Sequence, residues 1–192
     1  MNNIDFIIPN KNEKLLITKS EQLGIKRLCL VYEFKDFEKR KKMISGGIKI
    51  FYGVLCNLNE LGKARRMADF TLVKNPERKI IENKKPSIVF DLELGSRKDF
   101  MFQRNSGLNH ILCRLLVKNK ITYYINFSQI LESKNKQVLL GRIIQNLRLC
   151  NKYKVKVGVG SFARKPAQMR NPQDMKSFLK LEKKKFIYPY KN

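Results

Sequence analysis

The sequence predicts an α/β fold, a small (β/α) TIM-like barrel of seven to eight parallel strands forming a single domain over residues 1–192. Three observations predict it. Strand-like and helix-like segments alternate at intervals of about 20 to 35 residues, which is typical of parallel βαβ units. Most strand-like segments are continuous apolar runs, as expected where both faces of a strand are covered. The length of 192 residues lies near the lower limit of about 200 for such barrels.

The strand-like segments are rich in aliphatic, β-branched and aromatic residues. In chain order they are IDFII (4–8), IKRLCLVYEF (25–34), IKIFYGVLC (48–56), ADFTLV (68–73), PSIVFDLEL (86–94), ITYYINF (121–127), VKVGVGS (155–161) and KFIY (185–188). The helix-like segments between them are LLITKSEQL (15–23), NELGKARRM (59–67), ERKIIENKK (77–85), LNHILCRLLVKN (108–119) and KNKQVLLGRIIQNLRLCNKY (134–153). A doubly wound open sheet is the alternative, although neither G-x-G-x-x-G nor a P-loop sequence supports its nucleotide-binding versions.

The stretch SGLNHILCRLL (106–116) contains the single histidine of the chain. At helical spacing its aliphatic residues form a stripe that faces the core, made of Leu108, Ile111, Leu112, Leu115 and Leu116. His110 falls on the opposite face, which it shares with Arg114. We expect Ser106 to be the N-cap, so that His110 lies in the first turns, where free backbone N–H groups favour anions. The position therefore suits a phosphate contact better than a place in the core.

The formal charge of +25 arises because 41 Lys and Arg residues face 16 Asp and Glu residues. This excess is larger than solubility requires and predicts a polyanionic partner, either nucleic acid or a membrane surface. No stretch approaches about eighteen apolar residues, and MNNIDFIIPN (1–10) has no apolar region typical of a signal peptide. Nucleic acid is therefore the expected partner, and no membrane is expected.

The four cysteines lie far apart in the sequence, each among apolar neighbours, and no C-x-x-C pair occurs. They are Cys29, Cys56, Cys113 and Cys150. Buried reduced thiols in a cytoplasmic protein are the preferred interpretation. Spacing alone leaves a disulfide open as the alternative.

Two basic loops are predicted at the C-terminal face of the barrel, where the functional groups of such barrels are found. The first, GSRKDFMFQRNS (95–106), contains Arg97, Lys98 and Arg104 together with Phe100 and Phe102. Its basic residues suit phosphate contacts and its aromatic rings suit base stacking, unless the rings instead pack into the barrel rim.

The second loop lies within SFARKPAQMRNPQD (161–174) and contains Arg164, Lys165 and Arg170. Pro172 is placed to open a helix, with Asp174 near its positive end. The run Lys183 to Lys185 is expected to be a solvated patch that adds only unspecific attraction.

We do not expect the chain to contain catalytic groups of its own. A metal-dependent phosphoesterase barrel needs several His and carboxylate ligands, and the chain has one His. His110 could act as a general base, but no spacing places a partner such as Asp91, Glu93 or Asp99 against it. The residues alone therefore predict a nucleic-acid-binding barrel without metal or cofactor.

Three segments resemble archaeal ribonuclease P protein component 3, in the same order and spacing. ELGSRKDFMFQRNSGLNHILCRLL is similar to a family stretch that reads roughly ELGRKDSGIDHVLARL, with an insertion in this chain. YINFSQIL and SFARKPAQMRNPQDMKSFL are similar to a later strand and loop and to the basic loop before the next helix. The resemblance runs from about Pro86 to Leu181.

The family positions that recur in this chain are Arg97, Lys98, Gly107, His110, Pro172 and Asp174, and Arg170 fits the related eukaryotic pattern. In place of the family's aspartate before the histidine stands Asn109, which removes a charge beside His110. Relatives continue into further helix beyond the eighth strand, so we expect the barrel to be incomplete at its C-terminus.

The resemblance implies a barrel related to the thirty-kilodalton protein subunit of eukaryotic RNase P. Such a chain would be a non-catalytic subunit that supports the RNA which removes the 5′ leader from precursor tRNA. Its partners would be RNase P RNA, precursor tRNA and a smaller ferredoxin-like protein subunit. The RNA-binding residues expected are Arg97, Lys98, Arg104, His110, Arg114, Arg164, Lys165 and Arg170. The main alternative is a free-standing basic RNA-binding protein of the ribosome-associated type, and a less favoured one is a metal-dependent phosphoesterase.

Overall fold

The computed structural model describes residues 4–40, 47–95, 98–100 and 104–180. Within these ranges seven parallel strands pair in sequence order. The strands are β1 Asp5–Ile7, β2 Arg27–Glu33, β3 Lys49–Leu55, β4 Phe70–Lys74, β5 Ile88–Phe90, β6 Thr122–Asn126 and β7 Val157–Gly160. A doubly wound sheet changes direction at a switch point, whereas a barrel keeps sequence order throughout. The strand order therefore supports the predicted barrel over the open sheet.

The first strand and the chain after the seventh bring the two edges of the sheet together. Ile7 forms a parallel bridge with Ala163. The Phe162 N–H donates to the Phe6 carbonyl at 2.6 Å, and the Ile8 N–H donates to the Ala163 carbonyl at 2.9 Å. The barrel is thus nearly closed, with a seam made by one bridge instead of a full strand pair. The eighth predicted strand, 185–188, lies outside the described residues.

A buried carboxylate adds to this seam. Asp5 is 3% exposed and accepts hydrogen bonds from the Ser161 N–H at 2.6 Å and the Ser161 hydroxyl at 2.7 Å. Burial raises the pKa of Asp5 to about 6, although the hydrogen bonds from Ser161 oppose the shift. The side chain ties the start of β1 to the end of β7.

Each predicted helical segment contains a helix, and the boundaries differ by a few residues. The α-helices are α1 Glu13–Gln22, α2 Phe37–Arg40, α3 Leu61–Met67, α4 His110–Lys118, α5 Phe127–Glu132, α6 Lys136–Tyr153 and α7 Pro172–Leu179. The segment predicted over 77–85 contains a π-helical turn, Ile80–Lys84, and short 3₁₀ turns lie at Leu92–Leu94 and Pro166–Gln168. None of the described helices is both long enough and apolar enough to cross a membrane.

The interior of the barrel is filled by side chains from alternate strand positions. Phe6, Cys29, Val31, Leu72, Ile88, Phe90 and Phe162 form this inner cluster. The rings of Phe90 and Phe162 stack with centroids 4.6 Å apart. The other strand faces pack against the helices in two further clusters. All four cysteines are buried and none forms a disulfide among the described residues, so the predicted burial is confirmed.

Candidate nucleic-acid interface

The predicted basic residues follow two strands, β5 and β7. The chain after a barrel strand leaves at the C-terminal face, where the next helix also begins. Lys98, Arg104, His110 and Arg114 follow β5, and Arg164, Lys165 and Arg170 follow β7. Arg97 and Phe102 lie outside the described residues.

Helix α4 begins at His110, and its N-cap is Asn109, whose side-chain oxygen accepts from the Leu112 N–H at 2.9 Å. The prediction that Ser106 caps the helix is wrong. Ser106 is buried in front of a left-handed turn at Gly107, and it accepts hydrogen bonds from α6 instead. The family's aspartate is thus replaced here by another good N-cap residue.

His110 and Arg114 are both exposed, as their predicted position away from the core requires. The predicted stripe is partly wrong, because Leu108 precedes the helix and does not set its register. Cys113 and Leu116 are the buried positions of α4, while Ile111 is 39% exposed. His110 stands at the first helical position, where backbone N–H groups are free for an anion.

Gly107 allows the loop to return to the barrel. Its φ of +76° lies in the left-handed region, and a Cβ at this position would approach the Leu92 carbonyl oxygen to 2.0 Å. Only a glycine fits this contact with backbone atoms. The loop therefore packs directly on the turn that follows β5, and this packing sets the start of α4.

Helix α6 holds the first basic loop through Arg142, which is 8% exposed. Its Nε donates to Asp99 Oδ1 at 2.8 Å, and its Nη1 donates to the carbonyls of Glu93 and Gly95, both at 3.0 Å. Partial burial opposes ionisation of Asp99, but hydrogen bonds from Asn105 and Arg142, with the charges of Arg142 and Arg104, lower its pKa. Asp99 therefore anchors the loop as a carboxylate.

The side chains of this loop differ in how far they are available to a ligand. Arg104 is 46% exposed and pairs with Asp99 at 3.4 Å. Lys98 is exposed and lines an open groove of about 400 Å³ together with Asp99 and Arg142. Phe100 is 72% exposed, so the alternative in which it packs into the barrel rim is wrong.

The second basic loop has a fixed backbone and free side chains. Gln168 Oε1 accepts from the N–H groups of Arg164 at 2.6 Å and Lys165 at 3.0 Å. Asn12 Nδ2 donates to the Arg164 carbonyl at 2.9 Å. Arg164 and Lys165 are exposed, and among the described residues nothing bonds the Arg164 guanidinium. This guanidinium is therefore positioned by its backbone and available to a ligand.

Arg170 differs, because its guanidinium binds its own loop. Nη1 donates to the carbonyls of Ala167 at 2.7 Å and Met169 at 2.8 Å. Helix α7 begins at Pro172, as predicted, with Asn171 as its N-cap and Asp174 in its first turn. Arg170 thus supports the loop before α7 with at least part of its hydrogen-bonding capacity.

A small cavity of about 70 Å³ opens at the mouth of the barrel, between the ends of the strands. Lys74 ends β4, and its Nζ lies 3.6 Å from Oδ2 of Asp91, which follows β5. Burial raises the pKa of Asp91, although the charge of Lys74 and a hydrogen bond from Asn126 oppose this shift. Lys74 was not among the predicted site residues, although a lysine directly after the apolar run ADFTLV marks the C-terminal end of a barrel strand.

A second carboxyl beyond β5 is buried without a basic partner among the described residues. Glu93 is 1% exposed and accepts from the Tyr123 hydroxyl at 2.8 Å. Burial raises its pKa to about 7, although hydrogen bonds from its own backbone and from Tyr123 oppose this. Within the described part of the chain, no group of three or more His, Cys, Asp or Glu could hold a metal ion.

The chain is similar to known proteins of one family. The family described as RNase P subunit p30 matches residues 95–182. Ribonuclease P protein component 3 of Methanococcus maripaludis strain C7 is 32% identical over 140 residues, which cover 68% of this chain and 59% of that protein. The chain belongs to the ribonuclease P protein component 3 family.

Other members of the component 3 family show the same relation. The protein of M. maripaludis strain C5 is 31% identical, with the same coverage of 68% and 59%. The protein of Methanocaldococcus jannaschii is 26% identical over 147 residues, which cover 74% of this chain and 61% of that protein. The chain spans about three fifths of the length of these relatives. The match extends beyond Pro86 to Leu181, the half of the chain that carries the three similar motifs.

Solved structures share the fold of this component 3 family member. A chain in the cryo-EM structure of archaeal ribonuclease P with mature tRNA has a TM-score of 0.65 at 21% identity, covering 93% of this chain and 81% of that one. Histidinol phosphate phosphatase of Lactococcus lactis, solved with zinc, L-histidinol and phosphate, also has a TM-score of 0.65, at 10% identity and 92% coverage of both chains. At these identities the similarity establishes the barrel fold and nothing about chemistry.

Proposed function

We propose that the chain is a non-catalytic protein subunit of ribonuclease P that binds and supports the catalytic RNA, which removes the 5′ leader from precursor tRNA. The observation that carries this proposal is the match to curated archaeal relatives, each named ribonuclease P protein component 3. The net charge of +25 agrees with a polyanionic partner. The chain accounts for one protein of the complex, and RNA supplies the catalytic groups.

The partners in this proposal are RNase P RNA, precursor tRNA within the assembled enzyme, and a smaller ferredoxin-like protein subunit. The similar chain solved within an archaeal ribonuclease P that holds mature tRNA supports membership in such a complex. We place the protein in the cytoplasm, which agrees with four buried cysteines that form no disulfide among the described residues.

The RNA contacts in this proposal come from the two basic loops and the start of α4. Arg164 and Lys165 carry the strongest support, because their backbone is fixed while their side chains reach solvent. Lys98 and His110 are exposed, and His110 adds the free N–H groups of a helix start. Arg104, Arg114 and Arg170 complete the described set, and Arg97 belongs to it by its place in the sequence. Arginine gives directional contacts to phosphate that lysine lacks.

Affinity purification of the tagged full chain from its own cells, followed by RNA sequencing and protein identification, tests the proposal. We expect enrichment of RNase P RNA together with a small ferredoxin-like protein. The matched control is the chain with Lys98, Arg164 and Lys165 each changed to Ala, which should recover less of the RNA. Recovery of ribosomal subunits without RNase P RNA would support a free-standing RNA-binding protein and refute the proposal.

A further inference from the structure

The barrel mouth combines an apolar floor with a polar rim. The stacked rings of Phe90 and Phe162 line the cavity of about 70 Å³ from below. The other lining side chains come from the ends of β4, β5 and β6, from α5 and from the loop after β7, namely Lys74, Asp91, Asn126, Ser128, Gln129, Glu132, Arg164 and Gln168. The cavity thus collects charged groups of both signs in one small space.

Most polar groups of the rim already have partners within the protein. Asn126 accepts from the Gln129 N–H at 3.2 Å and donates to Asp91 Oδ2 at 3.3 Å. The Ser128 hydroxyl donates to the Ser161 carbonyl at 2.6 Å. Gln168 accepts two backbone N–H groups and donates to Glu132. These side chains form the frame of the cavity and are not free for a ligand.

Three groups of the rim can still form hydrogen bonds or ion pairs with a ligand. Asp91 is 1% exposed, and its Oδ1 has no hydrogen-bond partner among the described residues. Among the described residues, the Lys74 ammonium is held only by Asp91, at 3.6 Å, and the lysine side chain is 54% exposed. The Arg164 guanidinium has no partner in the described part of the chain. A buried acceptor without a donor is costly, so it calls for a donor from outside the frame.

The backbone at the mouth is held in an unusual conformation. Asn75, Asp91 and Phe162 all have positive φ, at 41°, 58° and 48°. They follow β4, β5 and β7. Asp91 and Phe162 line the cavity, and Asn75 comes directly after Lys74, which also lines it. Left-handed residues other than glycine cost energy and cluster at functional sites. Of these three residues, Asp91 carries the carboxyl that pairs with Lys74.

We propose that the barrel mouth binds a phosphate that carries a neighbouring hydroxyl, as in a ribonucleotide whose 2′-hydroxyl adjoins a 3′-phosphate. Lys74 and Arg164 bind the phosphate oxygens, and the hydroxyl donates to Asp91 Oδ1. The exposed Lys74 side chain moves with the phosphate and opens the way to the carboxylate. That the ligand belongs to RNA rests on the proposed function, because a free sugar phosphate also has a hydroxyl beside its phosphate.

Binding of adenosine 3′-monophosphate to the full chain, compared with its 2′-deoxy analogue, tests the site. We expect the ribonucleotide to bind about ten- to a hundredfold more tightly, the effect of one hydrogen bond to a charged group. Asp91→Asn should abolish that preference while the fold persists, because it removes a buried charge and keeps the side-chain shape. Lys74→Gln should weaken both ligands, and Lys156→Ala, an exposed lysine before β7, should weaken neither. Equal affinity for the two ligands, or a preference that survives in Asp91→Asn, would overturn the proposal.

Two further ligands show whether the site binds RNA or a sugar phosphate, independently of the proposed function. Glucose 1-phosphate also has a hydroxyl beside its phosphate, and a short 3′-phosphorylated RNA oligonucleotide adds backbone on one side. Tighter binding of the oligonucleotide assigns the site to RNA, whereas tighter binding of glucose 1-phosphate assigns it to a sugar phosphate. If the wild-type chain recovers RNase P RNA from cells but binds neither nucleotide, the mouth site fails and the proposed function stands. If nucleotides bind through Asp91 but no RNase P RNA is recovered from cells, the mouth site stands and the proposed function fails.

Discussion

At Gly107 the chain can accept no other residue without moving its backbone. The residue has a φ of +76°, and a Cβ would lie 2.0 Å from the Leu92 carbonyl oxygen. We predict that Gly107→Ala lowers the free energy of unfolding by at least about 2 kcal/mol, from left-handed strain and the steric clash together. Urea denaturation measures this. Gly95→Ala is the matched control, because Gly95 has a negative φ and open space around it, and an equal loss there would contradict the explanation.

Glu93 makes the stability of the protein depend on pH. Burial raises its pKa from 4.5 to about 7, so the folded state holds a proton that the unfolded state releases. The stabilisation is complete below about pH 4.5 and is lost as the pH rises through 7. Asp5, with a pKa raised by burial to about 6, acts in the same direction at lower pH.

Between pH 6 and 7 Glu93 titrates more than Asp5, whose pKa of about 6 lies at the lower end of this interval. We predict that the unfolding free energy of the wild type falls there by up to about 1 kcal/mol. Glu93→Gln, which stays neutral at every pH, should make the curve shallower over this interval and keep the fall around and below pH 6 that Asp5 causes. Denaturant unfolding at closely spaced pH values measures both curves. An unchanged slope between pH 6 and 7 in Glu93→Gln would show that another group titrates.

Arg164 and Arg170 belong to one loop and have opposite surroundings. The Arg164 guanidinium has no partner among the described residues, whereas Arg170 donates to the carbonyls of Ala167 and Met169. We predict that Arg164→Ala weakens RNA binding about tenfold without loss of stability, since one charge-assisted contact is removed. Arg170→Ala should lower stability by about 1 to 2 kcal/mol. Filter binding and thermal unfolding of both variants measure the contrast, and the opposite pattern would contradict it.

At the scale of elements, α6 acts as the support of the first basic loop. Arg142 joins this helix to Asp99 and to the carbonyls of Glu93 and Gly95. We predict that Arg142→Ala costs about 2 to 4 kcal/mol, because it leaves a carboxylate and two carbonyls without their donor. Hydrogen exchange should rise in residues 98–106. Arg148→Ala, an exposed position on the same helix, should leave stability and exchange unchanged.

The alternation of strands and helices was predictable because continuous apolar runs and helical spacing survive in the sequence. Where the predicted ends of strands and helices were wrong, the actual ends are set by N-cap residues. Asn126 ends β6 and caps α5 through the Gln129 N–H, so the apolar run ITYYINF continues into a helix without a visible break. Likewise, Asn109 and not Ser106 is the N-cap of α4, because the left-handed turn at Gly107 separates Ser106 from the helix.

At the scale of the whole molecule, the positions of the two basic loops followed from topology. Any residue after a barrel strand comes to the C-terminal face, so Lys98 and Arg164 could be placed there from strand order alone. The sequence could not predict which arginines are free. The bond of Arg170 to its own loop and the pairing of Lys74 with Asp91 depend on backbone angles that no spacing reveals.

Reconstitution of precursor-tRNA cleavage from purified components, with and without this chain, tests the proposed function most directly. We predict that RNase P RNA and the other protein subunits cleave the 5′ leader faster when the chain is added. We also predict that the chain freed of RNA cleaves nothing at any metal concentration. Metal-dependent 5′ cleavage by the RNA-free chain, or a rate that does not change when the chain is added, would show that the chain is not a non-catalytic subunit of ribonuclease P.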